Sequence, residues 1–254
     1  WTHDEEVGCR GSRILAEQWS QQLGPLPNMA WIGEPTDFRI CRMHPGHTTI
    51  KVNCTGRAAH SSRPGLGTNA IHLARLALTA LEHLAQSWST ERKYEEHLTC
   101  PFPVMNVGLI SGGTAINIVP DSCSFQLGIR PLPGETEQQR ITEIREALAP
   151  VQRQARELQG EIELSVVQIA PALLTPEGTQ LEQCLRPHAS NPHATAAPFA
   201  TDGGNLRKLN IESIVFGPGS IDVAHRADEF IPAKDLLTCV DTIEHVVRQR
   251  CLSE

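Results

Sequence analysis

No apolar run among the 254 residues approaches the ~20 needed to cross a bilayer as a helix, so a helical membrane protein is excluded. Positive charge is scarce too. Lys and Arg number 22 against 29 Asp and Glu, a formal net charge of -7, and no basic cluster interrupts the chain. That balance excludes nucleic acid as a partner. The eight cysteines (9, 41, 54, 100, 123, 184, 239 and 251) include no Cys-x-x-Cys pair. Neither a disulfide framework nor a thiolate zinc site is therefore expected; reduced thiols in the cytoplasm are. Aromatics make up only 4% of a chain whose hydrophobic share, 40%, is ordinary for a globular protein. Internal repeats and low-complexity segments are absent. So are an initiator Met and a signal peptide: the sequence opens on Trp1-Thr2-His3 and reads as a piece of something longer.

What is present is acid in two short stretches near the start, Asp4-Glu5-Glu6 and Gly33-Glu34-Pro35-Thr36. Neighbouring carboxylates repel, and bringing them together is costly unless something cationic holds them. Glu34 follows the apolar run Met29 to Gly33, which reads as a buried strand with a turn after it. Acids at the carboxyl ends of neighbouring parallel strands point into one crevice, where α/β proteins place their sites. The bland alternative is a solvated acidic turn and an acidic helix start.

Taken in order, Gly11 to Gln22 carries Ile14, Leu15 and Trp19 at helical spacing, and Leu23-Gly24-Pro25 ends it. The opening thus reads strand, helix, strand, with His44-Pro45-Gly46 as a hinge. From Thr48 the pattern alternates: Ile50, Val52 and Cys54 mark a strand with one wet face. A long helix follows over Asn69 to Ser87, then strands over Pro103 to Ile110 and Cys123 to Ile129. A second helix covers Glu135 to Leu158, and a fourth strand Ile162 to Val166. This β-α-β-β-α-β order predicts a ferredoxin-like module inserted at 47–168, between flanking parts at 1–46 and 169–254. Beyond Pro171 the expected elements are a helix over Thr179 to Leu185, a strand over Ala194 to Phe199, and a turn at Thr201 to Asn205 onto a helix ending near Leu209. A buried strand over Ser213 to Phe216 and a last helix from Lys234 to Arg250 complete the chain. Its fold class is α/β.

A carboxylate pair with a distant His suits divalent zinc, which accepts oxygen and imidazole alike. Consecutive acids point different ways, so at most two of Asp4, Glu5 and Glu6 share one centre. An unligated acid beside a bound water is placed as a general base.

Five stretches occur together and in order: Asp4-Glu5-Glu6, Gly33 to Thr36, Gly56-Arg57-Ala58-Ala59-His60-Ser61-Ser62, Asn117-Ile118-Val119-Pro120, and Ala224-His225. On these the chain resembles, over essentially its whole length, the two-zinc hydrolases that include aminoacylase, succinyl-diaminopimelate desuccinylase and carboxypeptidase G. Its nearest branch is the one acting on N-acetylornithine. The resemblance implies a zinc-exopeptidase-like catalytic domain carrying the inserted module as a lid, and a homodimer formed through that lid. The implied activity is removal of the acyl group from a small-molecule N-acyl amino acid, in arginine biosynthesis. It implies two zinc ions, with cobalt or manganese acceptable to the same donors. Glu5 is then the general base, and Glu6, Glu34 and His225 are metal ligands. His60 steadies the oxyanion in the partner's site. Asn117, Arg130, Gly217, Gly219 and Ser220 bind the substrate's carboxylate.

One departure matters. Members of the family carry a further His-x-Asp motif and a bridging Asp upstream of the triple acid, and neither is in this sequence. The chain on its own is therefore expected to be inactive. Alternatives are a desuccinylase or a dipeptidase or carboxypeptidase of the same family, or a metal-free homologue that serves as a binding module. The other histidines, His44, His47 and His188 among them, have no motif around them and are expected at the surface or in caps. Asp202 and Glu229 are assigned no role.

Overall fold

The computed structural model describes residues 2–22, 24–94 and 96–252, with backbone only for 20–22. In chain order the elements are α1 (Arg10–Gln22), β1 (Met29–Ile32), β2 (Arg39–His44), β3 (His47–Thr55), β4 (Ala59–His60) and α2 (Ala70–Trp88). Next come β5 (Val104–Gly112), β6 (Ile118–Val119), β7 (Ser122–Arg130), α3 (Glu137–Glu157) and β8 (Glu161–Ala170). The chain closes with β9 (Leu173–Leu174), α4 (Gln180–Leu185), β10 (Asn191–Ala196), α5 (Gly203–Arg207), β11 (Glu212–Val215) and α6 (Ala233–Cys251). Contacts divide it into two compact units: Trp1–Gly46 with Glu96–Thr99 and Ala170–Glu254, and His47–Glu95 with Cys100–Ile169.

The second unit is a four-stranded sheet in the order β5-β7-β3-β8, the strand order of a ferredoxin-like module. Alternation explains it. Ile50, Val52 and Cys54 of β3 and Phe125, Leu127 and Ile129 of β7 are buried on one face, against Leu73, Ala77 and Leu81 of α2 and Ile144 and Leu148 of α3. Each large apolar side chain so buried contributes roughly 1.5–3 kcal/mol. Asn69 caps α2, its side-chain oxygen accepting from the amides of Ile71 (2.9 Å) and His72 (3.2 Å). Ile71, an apolar residue in the first turn of α2, is 41% exposed. At the helical end of this unit Arg140 is buried and pairs with Glu91, Glu135 and Glu143 at 2.7, 2.7 and 2.9 Å. Burial alone would raise Glu135, but hydrogen bonds from Arg140, the Leu132 amide and Lys93 outweigh it and hold its pKa below the usual range. Strand β5 lies at the sheet's edge, with Val107, Leu109 and Ile110 exposed.

The first unit holds the order β1-β11-β2-β10, with β9 on β2. Strand β1 runs parallel to β11 in the register Met29↔Glu212 to Ile32↔Val215. Several expectations are corrected here. No strand precedes α1 among the described residues: Asp4 to Cys9 forms turns, with Asp4 and Cys9 at φ 57° and 55°. Val7-Gly8-Cys9 is too short to propagate a strand, and left-handed residues end pairing. Leu23, expected to help end α1, lies outside the described residues. Strand β2 carries no sequence expectation, and its burial does not alternate. Strand β10 begins at Asn191 rather than Ala194. His44, expected at the surface, is fully buried. The apolar residues of α6 are present at helical spacing, but only Val246 of them is buried; Leu236, Leu237, Val240, Ile243 and Val247 are 40–68% exposed.

Candidate active site

The triple acid sits on a turn that folds back on itself. The Glu5 carbonyl accepts from the amides of Gly8 and Cys9, both at 2.9 Å, and the Asp4 and His3 carbonyls accept from Arg10 (3.2 Å) and Gly11 (3.0 Å). The turn therefore ends in the first coil of α1, and it separates the three side chains. Glu5 is half-buried, while Asp4 and Glu6 are exposed. Asp4 pairs with His3 at 3.0 Å. The Cys9 thiol donates to a Glu5 carboxylate oxygen at 3.7 Å.

Glu34 arrives from the next element. It follows β1, and the β1–β11 register carries the paired chain on to Gly217. A Cβ at Gly217 would stand 2.6 Å from the Glu34 carbonyl oxygen, so only glycine lets the two strands' ends approach this closely. Thr36 closes the crossing by accepting from the Gly217 amide at 3.1 Å. The Gly217 amide is thus engaged by Thr36. Gly219, at φ 81°, accepts at its carbonyl from Asp37, and Thr36 bridges to Ser220.

These elements gather negative charge. Burial, Glu5, Glu6 and Asp202 together push the Glu34 pKa up to about 7. Glu5 is raised as well, by burial first and then by Asp202 and Glu6, against a lowering by the Cys9 hydrogen bond and His225. Asp202 is the group the sequence did not identify. It is 8% exposed, one carboxylate oxygen is buried without a hydrogen-bond partner, and it acts on both glutamates. The signal available in the sequence was the Gly-Gly pair behind it, which marks a close backbone approach.

His225 stands 3.7 Å from Glu6, with side chains 71% and 75% exposed, a surface pair of little energetic weight. The donor chemistry (crowded carboxylates and one imidazole) suits a divalent cation. The geometry does not close one: among the described residues no three His, Cys, Asp or Glu side chains are grouped to hold a metal ion. The expected ligands Glu6, Glu34 and His225 are thus partly brought together but make no complete site.

The remaining expected residues lie in the second unit. His60 is exposed on β4, its Nδ1 within 2.7 Å of the Ser62 hydroxyl. The Asn117 carbonyl accepts from Ser61 at 2.9 Å, so the His60 and Asn117 loops are tied together. A surface cavity of about 550 Å³ adjoins them, lined by Ser61, Asn69, Gly113, Ile116 and Ile118 among others. Arg130 is half-buried at the end of β7, its pKa lowered by burial, and no carboxylate among the described residues pairs with it. His47 lies close enough that Arg130, after burial, lowers its pKa.

A family model described as "Peptidase dimerisation domain", of the M20 group, matches residues 42–156. An acetylornithine deacetylase of Myxococcus xanthus is 33% identical over 251 residues, 98% of this chain and 64% of that protein. One from Proteus mirabilis is 32% identical, covering 100% of this chain and 63% of that protein. Among solved structures, a Staphylococcus aureus tripeptidase superposes with TM-score 0.74 at 21% identity, covering 98% of this chain and 62% of that one. A Bacillus subtilis protein described as a dinuclear metal-binding peptidase of the M20 family gives 0.65 at 14% identity, covering 97% and 62%. Over most of its length the chain is thus similar to M20 peptidases, and it has an α/β fold with a ferredoxin-like module inserted in it. The curated relatives named above are acetylornithine deacetylases, and the chain spans about 64% of the length of the Myxococcus one.

The crowding predicts a pH signature for the metal-free protein. Glu34 binds its proton more tightly folded (about 7) than unfolded (4.5), so its stability contribution is present below 4.5 and lost as pH rises through 7. Replacing it by Gln removes that loss. Since Glu34 is only half-buried, about 1 kcal/mol is expected, or roughly 2–4 °C in Tm. Thermal melts in EDTA should show Glu34→Gln more stable than the parent at pH 8, with the gain shrinking towards pH 4.5. An equal gain at both pH values would mean that Glu34 is not held among like charges.

Proposed function

We propose that the protein hydrolyses the amide of an N-acyl amino acid, acting as an acetylornithine deacetylase in arginine biosynthesis. The observation that carries this reading is the 33% identity to such an enzyme along 98% of the chain. Glu5 is the general base: half-buried, with its pKa raised, it takes a proton from the attacking water and passes it to the leaving amine. Glu6, Glu34 and His225 contribute donors to the metal centre of the whole protein. Zinc is the metal the family resemblance favours, and the description of the Bacillus neighbour as dinuclear supports a two-metal centre. The unpaired, half-buried Arg130 guanidinium suits the substrate's carboxylate, with Asn117 beside it in function. His60 steadies the oxyanion, and Gly219 and Ser220 border the same substrate group. Eight free cysteines suit a reducing cytoplasm, and no helix among the described residues is long and apolar enough to cross a membrane.

The protein is proposed to be a homodimer through residues 47–168. The dimerisation-domain match over 42–156 supports this, as does the exposed apolar edge at Val107, Leu109 and Ile110. A second reading, a metal-free binding homologue, is favoured by one observation: no group of three metal donors among the described residues.

Metal content and turnover of the intact protein separate the two. With N-acetylornithine, N-succinyl-diaminopimelate and a dipeptide as substrates, the first should turn over best. Glu5→Gln should keep the metal and lose kcat by about 10²–10⁴-fold. A parent protein without metal or turnover on any of the three would sink the hydrolase reading, and a Glu5→Gln that empties the metal would sink the assignment of Glu5 as base. Sedimentation of the same preparation should give a two-subunit mass; a monomer at micromolar concentration contradicts the dimer.

A further inference from the structure

The segment Thr201-Asp202-Gly203-Gly204-Asn205 is built with more care than a connecting turn needs. His44, fully buried, accepts at Nε2 from the Thr201 amide at 3.2 Å and lies 3.0 Å from its hydroxyl. The Thr201 hydroxyl accepts in turn from the Gly203 amide at 3.1 Å. The N–H on Nε2's acceptor side fixes the imidazole proton on Nδ1, which donates to the Pro45 carbonyl at 2.9 Å. At Gly204 a Cβ would stand 2.0 Å from the Pro171 carbonyl oxygen, so α5 lies directly on that backbone and tolerates only glycine. The segment is thus fixed from beneath by His44 and from the side by Pro171.

What it presents is a contact at each end of the Glu5 turn. Asp202 accepts a hydrogen bond from the Thr2 hydroxyl, before the turn, and keeps its other carboxylate oxygen buried without a partner. Asn205, 2% exposed, donates from its side-chain amide to the Cys9 carbonyl at 3.1 Å and the Ser12 hydroxyl at 2.9 Å, after the turn. The Ser12 hydroxyl itself donates to the Cys9 carbonyl at 3.0 Å, and the Cys9 thiol reaches Glu5. The residues joined are about 200 positions apart in sequence, with separations of 200, 196 and 193. A buried carboxylate oxygen left without a partner is costly, and the fold keeps it next to the turn that carries the reacting acid.

We propose that Asp202 and Asn205 form a clamp on the two ends of the Thr2–Ser12 segment and that Asp202 is a positioning residue for Glu5. The clamp rests on the assignment of Glu5 as base for its effect on turnover, but not for its effect on the turn itself. Thr2 gives the cleanest access, because it is exposed and its replacement leaves the core intact.

The experiment compares Thr2→Val, Thr2→Ser and Asp202→Asn with the parent in the intact protein. Amide exchange at Gly8, Cys9, Arg10 and Gly11 and steady-state kinetics on N-acetylornithine are both read. Thr2→Val should speed exchange at these four amides and lower kcat by about 10–100-fold, with KM within about twofold, because a misaligned base slows chemistry without weakening binding. Thr2→Ser keeps the hydroxyl and should restore both readouts. Asp202→Asn keeps an acceptor oxygen for Thr2 and should fall between. Parent-like exchange in Thr2→Val overturns the clamp. Faster exchange with unchanged kcat overturns the positioning role. If the parent itself hydrolyses nothing, the proposed function and the positioning role both fail, while the exchange data still decide whether the clamp exists.

Discussion

Glu5 and Glu34 are held partly buried where the charges of Glu6 and Asp202 add to the cost of ionising them, with the Cys9 hydrogen bond and His225 opposing this at Glu5. Like charges in a partly desolvated place do not assemble on their own account. The repulsion is tolerated because backbone contacts elsewhere over-determine each position, and it leaves two glutamates readier to hold protons than a surface glutamate is. That is the condition under which a carboxylate can serve as a base near neutral pH or welcome a divalent cation. The rest of the first unit can be understood as the scaffold that imposes it.

The imposing contacts are local and specific. The β1–β11 register brings Glu34 to the Gly217 crossing, where the absence of a side chain lets backbone meet backbone. The Glu5 turn is made by its own amides converging on the Glu5 carbonyl, with left-handed residues at Asp4 and Cys9. Asp202 rides on a short helix set against Pro171 and braced by a buried histidine. Each of these costs conformational freedom, and each sits at the candidate site rather than in the hydrophobic core, as strained or tightly determined backbone tends to.

Much of the second unit was legible in the sequence because its elements are periodic. Ile50, Val52 and Cys54 alternate with polar residues along a sheet that is buried on one face, and Asn69 stands at a helix start where a cap is needed. The first unit was harder to read. In sequence the opening reads as a strand before α1, because nothing near Asp4 to Cys9 signals the left-handed residues that turn it. Strand β2 lacks alternation, and the exposed apolar stripe of α6 shows that period gives the element but not what it faces. Glu5 and Glu34 stood out by composition. Asp202 did not, since its importance comes from Thr2 and the two glutamates, all distant in the chain.

Glu34 belongs to a crowded anionic cluster that a cation would relieve. Its side-chain carboxyl can be followed directly by carbon-detected NMR titration of isotopically labelled protein, first in EDTA and then with added zinc. The expected midpoint is about 7 without metal, falling below the ordinary 4.5 once the cation is bound. A midpoint near 4.5 in EDTA that zinc leaves unmoved would contradict it.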